Sequence, residues 1–279
     1  MKAIRCEMLE RQRLEAWAGA YPPVRTPKRV LVVMAGNIPL VGFFDLLCVL
    51  ASGHACRVKP SSKDTVLIGY VVDLLRTIDP AIPLRMAEQG ERRDAVIATG
   101  SDNANRYFRM LFGGIPSLLR GSRQSVAVLS GRETAAELSG LEEDIFAYSG
   151  LGCRNVSLLF LPRGYMPELR CTALNEKYRR NYLRERALLR MCRMPFVDLD
   201  GAVLCEDRSF PAALSRIHYT FYDSLADVEA WLAAHDDRLQ CVVSQCVRHS
   251  RRVAFGRAQH PGLTDYADDV DTMRFLGTI

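Results

Sequence analysis

The stretch "RVLVVMAGNIPLVGFFDLLCVLASGHACRVKPSS", residues 29–62, decides how the chain is read. Residues 29–34 form a short, nearly unbroken apolar run, the pattern of a strand buried on both faces. Residues 41–52 then place apolar side chains at helical spacing, and Gly53 closes the helix. Residues 55–59 are a second strand, ending in Lys59-Pro60-Ser61-Ser62. Alternation of buried strand and helix is the layout of a mostly parallel sheet covered by helices.

The same rhythm continues outward. Asp64 is placed to cap a helix running to about Ile78, residues 94–98 read as a third strand, 102–112 as a helix and 125–129 as a fourth strand. This is a doubly wound, nucleotide-binding kind of architecture. Beyond Gly131 a helix over 134–148 runs into a glycine-flanked cysteine and a strand over 156–161, so the domain boundary is expected near Ser130. A helix over 166–190, a strand over 218–222, a helix over 225–234 and a strand over 239–244 complete a second α/β unit. The end of the chain is polar and turn-rich, with Asp265, Asp268, Asp269 and Asp271. The expected organisation is a nucleotide-binding unit over 1–130, a catalytic unit over 131–262, and a surface tail or oligomerisation arm over 263–279.

Composition narrows the classes. With 279 residues, 48% of them hydrophobic and 25% charged, the chain is long enough for one large or two moderate folded domains, which argues against disorder. The net charge of +5 comes from 37 basic against 32 acidic residues. Its largest local contributor is the run around Lys177, Arg179, Arg180, Arg184 and Arg186, read as a solvated helix face. Nucleic-acid binding is not expected, because no aromatic-basic interleaving, zinc-finger spacing or recognition helix accompanies that run. Nine cysteines, without a C-x-x-C pair or a histidine at ligand spacing, support neither a disulfide framework nor a metal site. The first twenty or so residues lack the apolar core of a signal peptide. The longest apolar stretch, 38–51, is interrupted by Asp45 and too short for a membrane span, so a cytoplasmic protein is expected.

Among the cysteines, Cys153 stands apart in "YSGLGCRNVS", residues 148–157. Gly150 and Gly152 would let substrate approach the sulfur closely. Arg154 would favour the reactive thiolate, and backbone N–H groups of the turn would stabilise an oxyanion. A small buried residue at a helix-strand junction is the alternative. The other cysteines fall within helices or strands and are read as packing or as lacking a catalytic companion.

No G-x-G-x-x-G follows any strand, so another element must hold phosphates. Thr99-Gly100-Ser101 leaves the third strand and opens a helix, where N–H groups and hydroxyls would meet a pyrophosphate; Ser101 reads equally as a plain N-cap. Lys59 lies at the carboxyl edge of the proposed sheet, where ligands bind in this architecture, or is merely solvated. Asn37 serves turn geometry or donates a hydrogen bond to a substrate carbonyl.

These features occur in an order that resembles the aldehyde dehydrogenase superfamily, and more specifically the LuxC-type acyl-CoA reductases. "AGNIPLVGFFDLLCVLASGHACRVKPSS" (35–62) is similar to that family's oxyanion-asparagine segment, its following helix and its ribose-binding Lys-Pro-Ser. "ATGSDNANRYF" (98–108) resembles its glycine-serine turn near the pyrophosphate, and "IFAYSGLGCRNVSLLFLP" (145–162) its nucleophile helix, cysteine and strand. "GRAQHPGLTDYADDVDTMRFL" (256–276) is similar to a group of bacterial acyl-CoA reductase-like proteins.

The resemblance implies an aldehyde dehydrogenase-like fold and an NADPH-dependent reduction of an acyl thioester to an aldehyde. Cys153 would accept the acyl group, with the oxyanion held by Asn37 and the Cys153 backbone N–H. Lys59, Pro60, Ser61 and Ser62 would contact the adenosine ribose, and Gly100 and Ser101 the pyrophosphate. Val128 and Leu129 stand where hydrolytic relatives carry a general-base glutamate, which suits acyl exchange with a thiol rather than oxidation to a free acid. Ser62, beside Lys63, replaces the acidic residue that grips both ribose hydroxyls, which favours NADPH over NADH. The donor would be acyl-CoA or another activated acyl compound, and the protein a homo-oligomer. Fewer residues precede Asn37 than the family places there, so a shortened, non-catalytic relative is one alternative, and an acyl-phosphate (semialdehyde) dehydrogenase another.

Overall fold

The computed structural model describes residues 2–171 and 175–279. The chain divides into two compact units, one of residues 1–122 with 262–279 and the other of residues 123–261.

In chain order, the first unit contains α1 (Lys2–Met8), α2 (Arg11–Gly19), β1 (Arg29–Val33), α3 (Phe43–Ala51), β2 (Ala55–Lys59), α4 (Thr65–Ile78), β3 (Leu84–Met86), β4 (Ala95–Thr99), α5 (Asp102–Phe112) and β5 (Ser117–Arg120). Its five strands lie in the order β3-β2-β1-β4-β5, all parallel. β1 is central, and successive side chains of a strand point to opposite faces. Val30 and Val32 therefore enter one core cluster with Leu46, Val49, Ile68 and Val72 of α3 and α4. Leu31 enters another with Val96, Ala98 and Phe112. Each such apolar side chain, fully buried, contributes roughly 1.5–3 kcal/mol. The chain steps from β1 to β2 and β3 on one side, then crosses to β4 and β5 on the other. The carboxyl ends of β1 and β4 thus form a topological switch point, where open α/β sheets bind ligands.

Arg29, which opens β1, is clipped to Asp94, just before β4. Asp94 accepts hydrogen bonds from the Arg29 N–H and guanidinium, which pull its pKa down to about 2.

The second unit contains β6 (Gln124–Val128), α6 (Ala135–Phe146), β7 (Val156–Pro162), α7 (Glu176–Met191), β8 (Val197–Asp198), β9 (Val203–Glu206), β10 (Arg216–Tyr222), α8 (Leu225–Ala234), β11 (Leu239–Ser244) and β12 (Arg252–Val253). Its seven strands run β12-β11-β6-β7-β10-β9-β8, with only β8 antiparallel to its neighbour. One face packs Leu159 and Leu161 of β7 against Leu141, Ile145 and Phe146 of α6 and Tyr178 of α7. The other packs Leu158 and Phe160 against Val228 and Leu232 of α8.

The α/β class with a parallel nucleotide-binding type of sheet is borne out; several finer expectations are not. The division falls at Ser122 rather than near Ser130, because β6 pairs with β7 and β11 instead of joining the first sheet. Helix α7 starts at Glu176, capped by Asn175, and not at 166, since Pro167 disfavours helical backbone before it. Residues 172–174 of that expected helix lie outside the described residues. Asp64 does not cap α4 with its side chain; buried, it accepts from the Leu40 N–H at 2.7 Å.

The end of the chain is not a surface tail. It carries α9 (Thr272–Gly277), and Leu263, Met273 and Leu276 are buried in the same cluster as Val30. The ring of His54, wholly buried, accepts the Lys28 N–H at Nδ1. Nε2 therefore carries the proton and donates to the Leu276 carbonyl at 2.9 Å. Arg120 donates to both Asp45 oxygens and to Thr272 Oγ1. The Trp17 indole N–H donates to Tyr266 Oη, while Tyr21 donates to Asp271.

Candidate active site

The site in the second unit begins with α6. Its N-terminus is fixed by a capping box, Thr134 with Glu137. At its other end the backbone turns left-handed at three consecutive residues, Tyr148 (φ 52°), Ser149 (φ 55°) and Gly150 (φ 64°). Two of these are not glycine, and such backbone persists only where its surroundings hold it.

Asn155 does the holding. Its amide Nδ2 lies 3.0–3.1 Å from the carbonyls of Asp144, Ile145 and Ala147, acceptors that the end of a helix leaves without partners. Its Oδ1 accepts the Gly152 N–H at 2.8 Å. Ser149 Oγ accepts the Asn175 N–H, and Ser125 Oγ donates to the Cys153 carbonyl at 2.9 Å. Cys153 is thus anchored from β6, from α6 and from its own turn, while its side chain is exposed.

Its environment differs from that of the other cysteines. Cys48, Cys56, Cys205 and Cys241 are buried, and burial raises the thiol pKa of each. Cys6 and Cys192 are also exposed, but on helix α1 and at the end of α7, away from any turn of this kind. Arg154, expected to favour a Cys153 thiolate, also lies close enough to Cys241 for its charge to lower that thiol's pKa, against the larger effect of burial. The Gly152 N–H is occupied by Asn155 and so is no oxyanion donor.

A Cβ on Gly150 would lie 3.2 Å from the ring of Tyr178. Gly150, Gly152, Asn155 and Tyr178, with Leu214 and Ile217, line a cavity of about 260 Å³. Val128 and Leu129, which the resemblance sets where hydrolytic relatives carry a glutamate, are fully buried. The nearby Glu133 accepts hydrogen bonds from the N–H groups of Ser130 and Gly131 and from Ser130 Oγ, which makes it a turn-former.

In the first unit, the sequence-predicted residues gather at the carboxyl ends of β1, β2 and β4. Asn37, Lys59, Ser62 and Ser101 are exposed, and Pro60, Ser61 and Gly100 half-buried. The loop after β1 packs so closely on the loop after β2 that a Cβ on Gly36 would fall 2.3 Å from Ser61 Oγ. Gly36, Asn37, Lys63 and Asp64 line a second cavity of about 260 Å³.

Ser101 is the N-cap of α5, accepting from the Ala104 N–H. The Gly100 N–H is bonded to the Arg120 carbonyl, so it does not face a ligand. Asp102 adds a carboxylate in the first turn, held by the Ser122 N–H. Lys59, Ser61 and the Ser101 hydroxyl are the polar groups that a nicotinamide nucleotide would meet here, whereas the Gly100 amide is already bonded.

No family model matches the sequence, and no curated protein matches it either. Solved structures do. An aldehyde dehydrogenase of Mycobacterium tuberculosis complexed with NAD+ matches with a TM-score of 0.57 at 17% identity, over 72% of this chain and 53% of that one. The NAD+ complex of an aldehyde dehydrogenase from Bacillus cereus matches with 0.60 at 14% identity, over 84% and 61%. An aldehyde dehydrogenase of Brucella melitensis biovar abortus 2308 matches with 0.61 at 11% identity, over 86% and 64%. The fold is that of the aldehyde dehydrogenases. At these identities the likeness is one of fold, and the chain spans less than two thirds of each of these structures. Among the described residues no helix is long and apolar enough to cross a membrane.

Asn155, Ser125 and Tyr178 escape a reading of the sequence. Ser125 and Tyr178 each act on a group twenty-eight positions away, while Asn155 serves a helix end and a turn a few residues before it, and no local pattern marks any of the three.

Proposed function

We propose that the protein reduces an acyl thioester to an aldehyde through an acyl-enzyme at Cys153, as the LuxC-type acyl-CoA reductases do. The carrying observation is the exposed Cys153 on a strained glycine turn that Asn155 and Ser125 hold in place, within an aldehyde dehydrogenase fold. A left-handed turn maintained against its own backbone preference is characteristic of functional sites. The thiolate attacks the acyl carbonyl, a carbon-sulfur bond to Cys153 forms, and the donor leaves as a thiol. Asn37 is the oxyanion donor in this reading. A bound nicotinamide nucleotide would supply the hydride that releases the acyl group as an aldehyde.

Lys59, Ser61 and Ser101 are the residues that would hold the nucleotide. With Ser62 and Lys63 where an acidic ribose ligand would repel a 2′-phosphate, NADPH is preferred over NADH. The apolar Val128 and Leu129 leave water without a base there, which protects the acyl-enzyme from hydrolysis.

The test is intact-mass measurement after incubation with a panel of acyl-CoAs, comparing wild type with Cys153→Ala. Expected is an acyl adduct that depends on Cys153 and disappears when NADPH is added. A folded protein that forms no adduct with any donor would return the non-catalytic reading.

A further inference from the structure

Helix α7 and the three residues after it hold the charge imbalance of the whole chain. Residues 176–194 contain seven basic side chains, from Lys177 to Arg193, against Glu176 and Glu185, an excess of five that equals the net +5 of all 279 residues. The rest of the chain is neutral overall. The buried seam of α7 is narrow, with Tyr178, Tyr182, Glu185 and Leu189 at positions i, i+4, i+7 and i+11. Everything else on the helix faces outward or is half-exposed. Among the described residues Arg180 pairs with Glu176, both about three-quarters exposed. The side chains of Lys177 and Arg179 have no acidic partner among the described residues.

A plainly solvated face would explain the charge alone. It does not explain Leu183, Leu188, Met191 and Met194, which stand 45–80% exposed among the cations. A helix lying on a membrane segregates its apolar and basic sides; here they interleave. Arginine and methionine interspersed on an exposed face is the composition of a protein interface.

The position of α7 gives that interface a use. Its N-terminus abuts the cysteine turn: the Asn175 N–H donates to Ser149 Oγ at 3.0 Å, and the Tyr178 ring lies against Gly150. From there the helix extends roughly 24 Å. The phosphates of a free coenzyme A would occupy a fraction of that length.

We infer that the outer face of α7 docks an acidic protein that delivers the acyl group as its own thioester. The inference rests on the acyl-transfer reading of Cys153. On delivery the Cys153 thiolate attacks the carrier's thioester carbonyl, the carrier-sulfur bond breaks, and the carrier leaves as a thiolate that takes up a proton; nothing is oxidised or reduced in this step.

The probe is an acidic acyl carrier protein bearing an octanoyl thioester, with octanoyl-CoA as the small-molecule counterpart. Two quantities are read: binding of the fluorescently labelled carrier, and the rate at which each donor acylates Cys153. The variant is Lys177→Gln/Arg180→Gln/Arg184→Gln, whose side chains lie outside the cysteine turn and whose folding circular dichroism checks. Expected is carrier binding that weakens at least tenfold or so in the variant and falls with ionic strength. Acylation by octanoyl-CoA should stay within about twofold of wild type.

Carrier that fails to bind, or binds wild type and variant alike, overturns the inference. So does an equal loss with both donors, which would make α7 a coenzyme site. So does displacement of the carrier by anionic vesicles or a DNA duplex at physiological ionic strength. Charge-dependent carrier binding without any acyl adduct would keep the docking face and discard the acyl-transfer reading, so the two failures are separable.

Discussion

Asn155 is the residue on which the candidate site depends. One side-chain amide serves three carbonyls at the end of α6, and its oxygen takes the Gly152 N–H. Asn155→Ala leaves these partly buried groups without partners, at a cost of about 1–3 kcal/mol for each one left unsatisfied. Expected is a lower unfolding midpoint together with a changed alkylation rate at Cys153, followed by peptide mass spectrometry. A wild-type alkylation rate in the folded variant would separate the turn from the reactivity of the thiol. Ser62 is the residue-scale test of nucleotide choice. Ser62→Glu should weaken NADPH binding about tenfold while sparing NADH, since it sets a carboxylate against a 2′-phosphate; isothermal titration with both nucleotides reads the ratio. Cys153 stands out in the sequence by its glycines, but its anchor from Ser125, twenty-eight positions away, carries no local mark.

Among the elements, strands and helices were largely legible. β2, α5, α8 and β11 were read with their observed ends, because each has a strong run or period bounded by a cap or turn. β3, β5, β8, β9 and β12 were missed, since strands of two to four residues are too short to show a period. What ties elements together is less visible. Asp144 of α6 is wholly buried and accepts the N–H groups of Gly256 and Ala258. A Cβ on Gly140 would meet the same segment, at 2.8 Å from the Gly256 nitrogen. Burial raises the Asp144 pKa to about 6, against the lowering effect of its two N–H donors. Between the ordinary carboxylate range and pH 6 the folded state therefore binds more protons than the unfolded one. Its contribution to stability is fully present below about pH 4 and is lost as the pH rises through about 6, by at most roughly 3 kcal/mol. Urea unfolding followed at several pH values should show this as a slope that Asp144→Asn removes.

At the scale of the whole molecule, each unit carries one of the two tryptophans, Trp17 in the first and Trp231 in the second. Trp17 packs near Tyr21 and Phe44 and donates to Tyr266; Trp231 packs on Phe160, Phe210 and His235. Leu276→Ala empties a fully buried site in the first unit, at a cost of about 2–5 kcal/mol. Unfolding reported by Trp17, in a Trp231→Phe background, should move to lower denaturant. The transition reported by Trp231, with Trp17→Phe, should stay where it is. A shift of both by the same amount would mean that the units unfold as one.

The sequence by itself determined what short-range physics dictates: the alternation of strand and helix, the cap at Ser101, the parallel α/β class and the glycine-flanked Cys153. Those follow from periodicity and backbone preference over a few residues. Only the tertiary structure decided that β6 joins the second sheet, that 262–279 returns to the first unit's core, and that Ser125 anchors the cysteine turn. Each of these is a choice of partner between groups far apart along the chain. Such choices depend on which buried hydrogen bonds and apolar surfaces can be satisfied together, a condition that no single stretch of sequence contains.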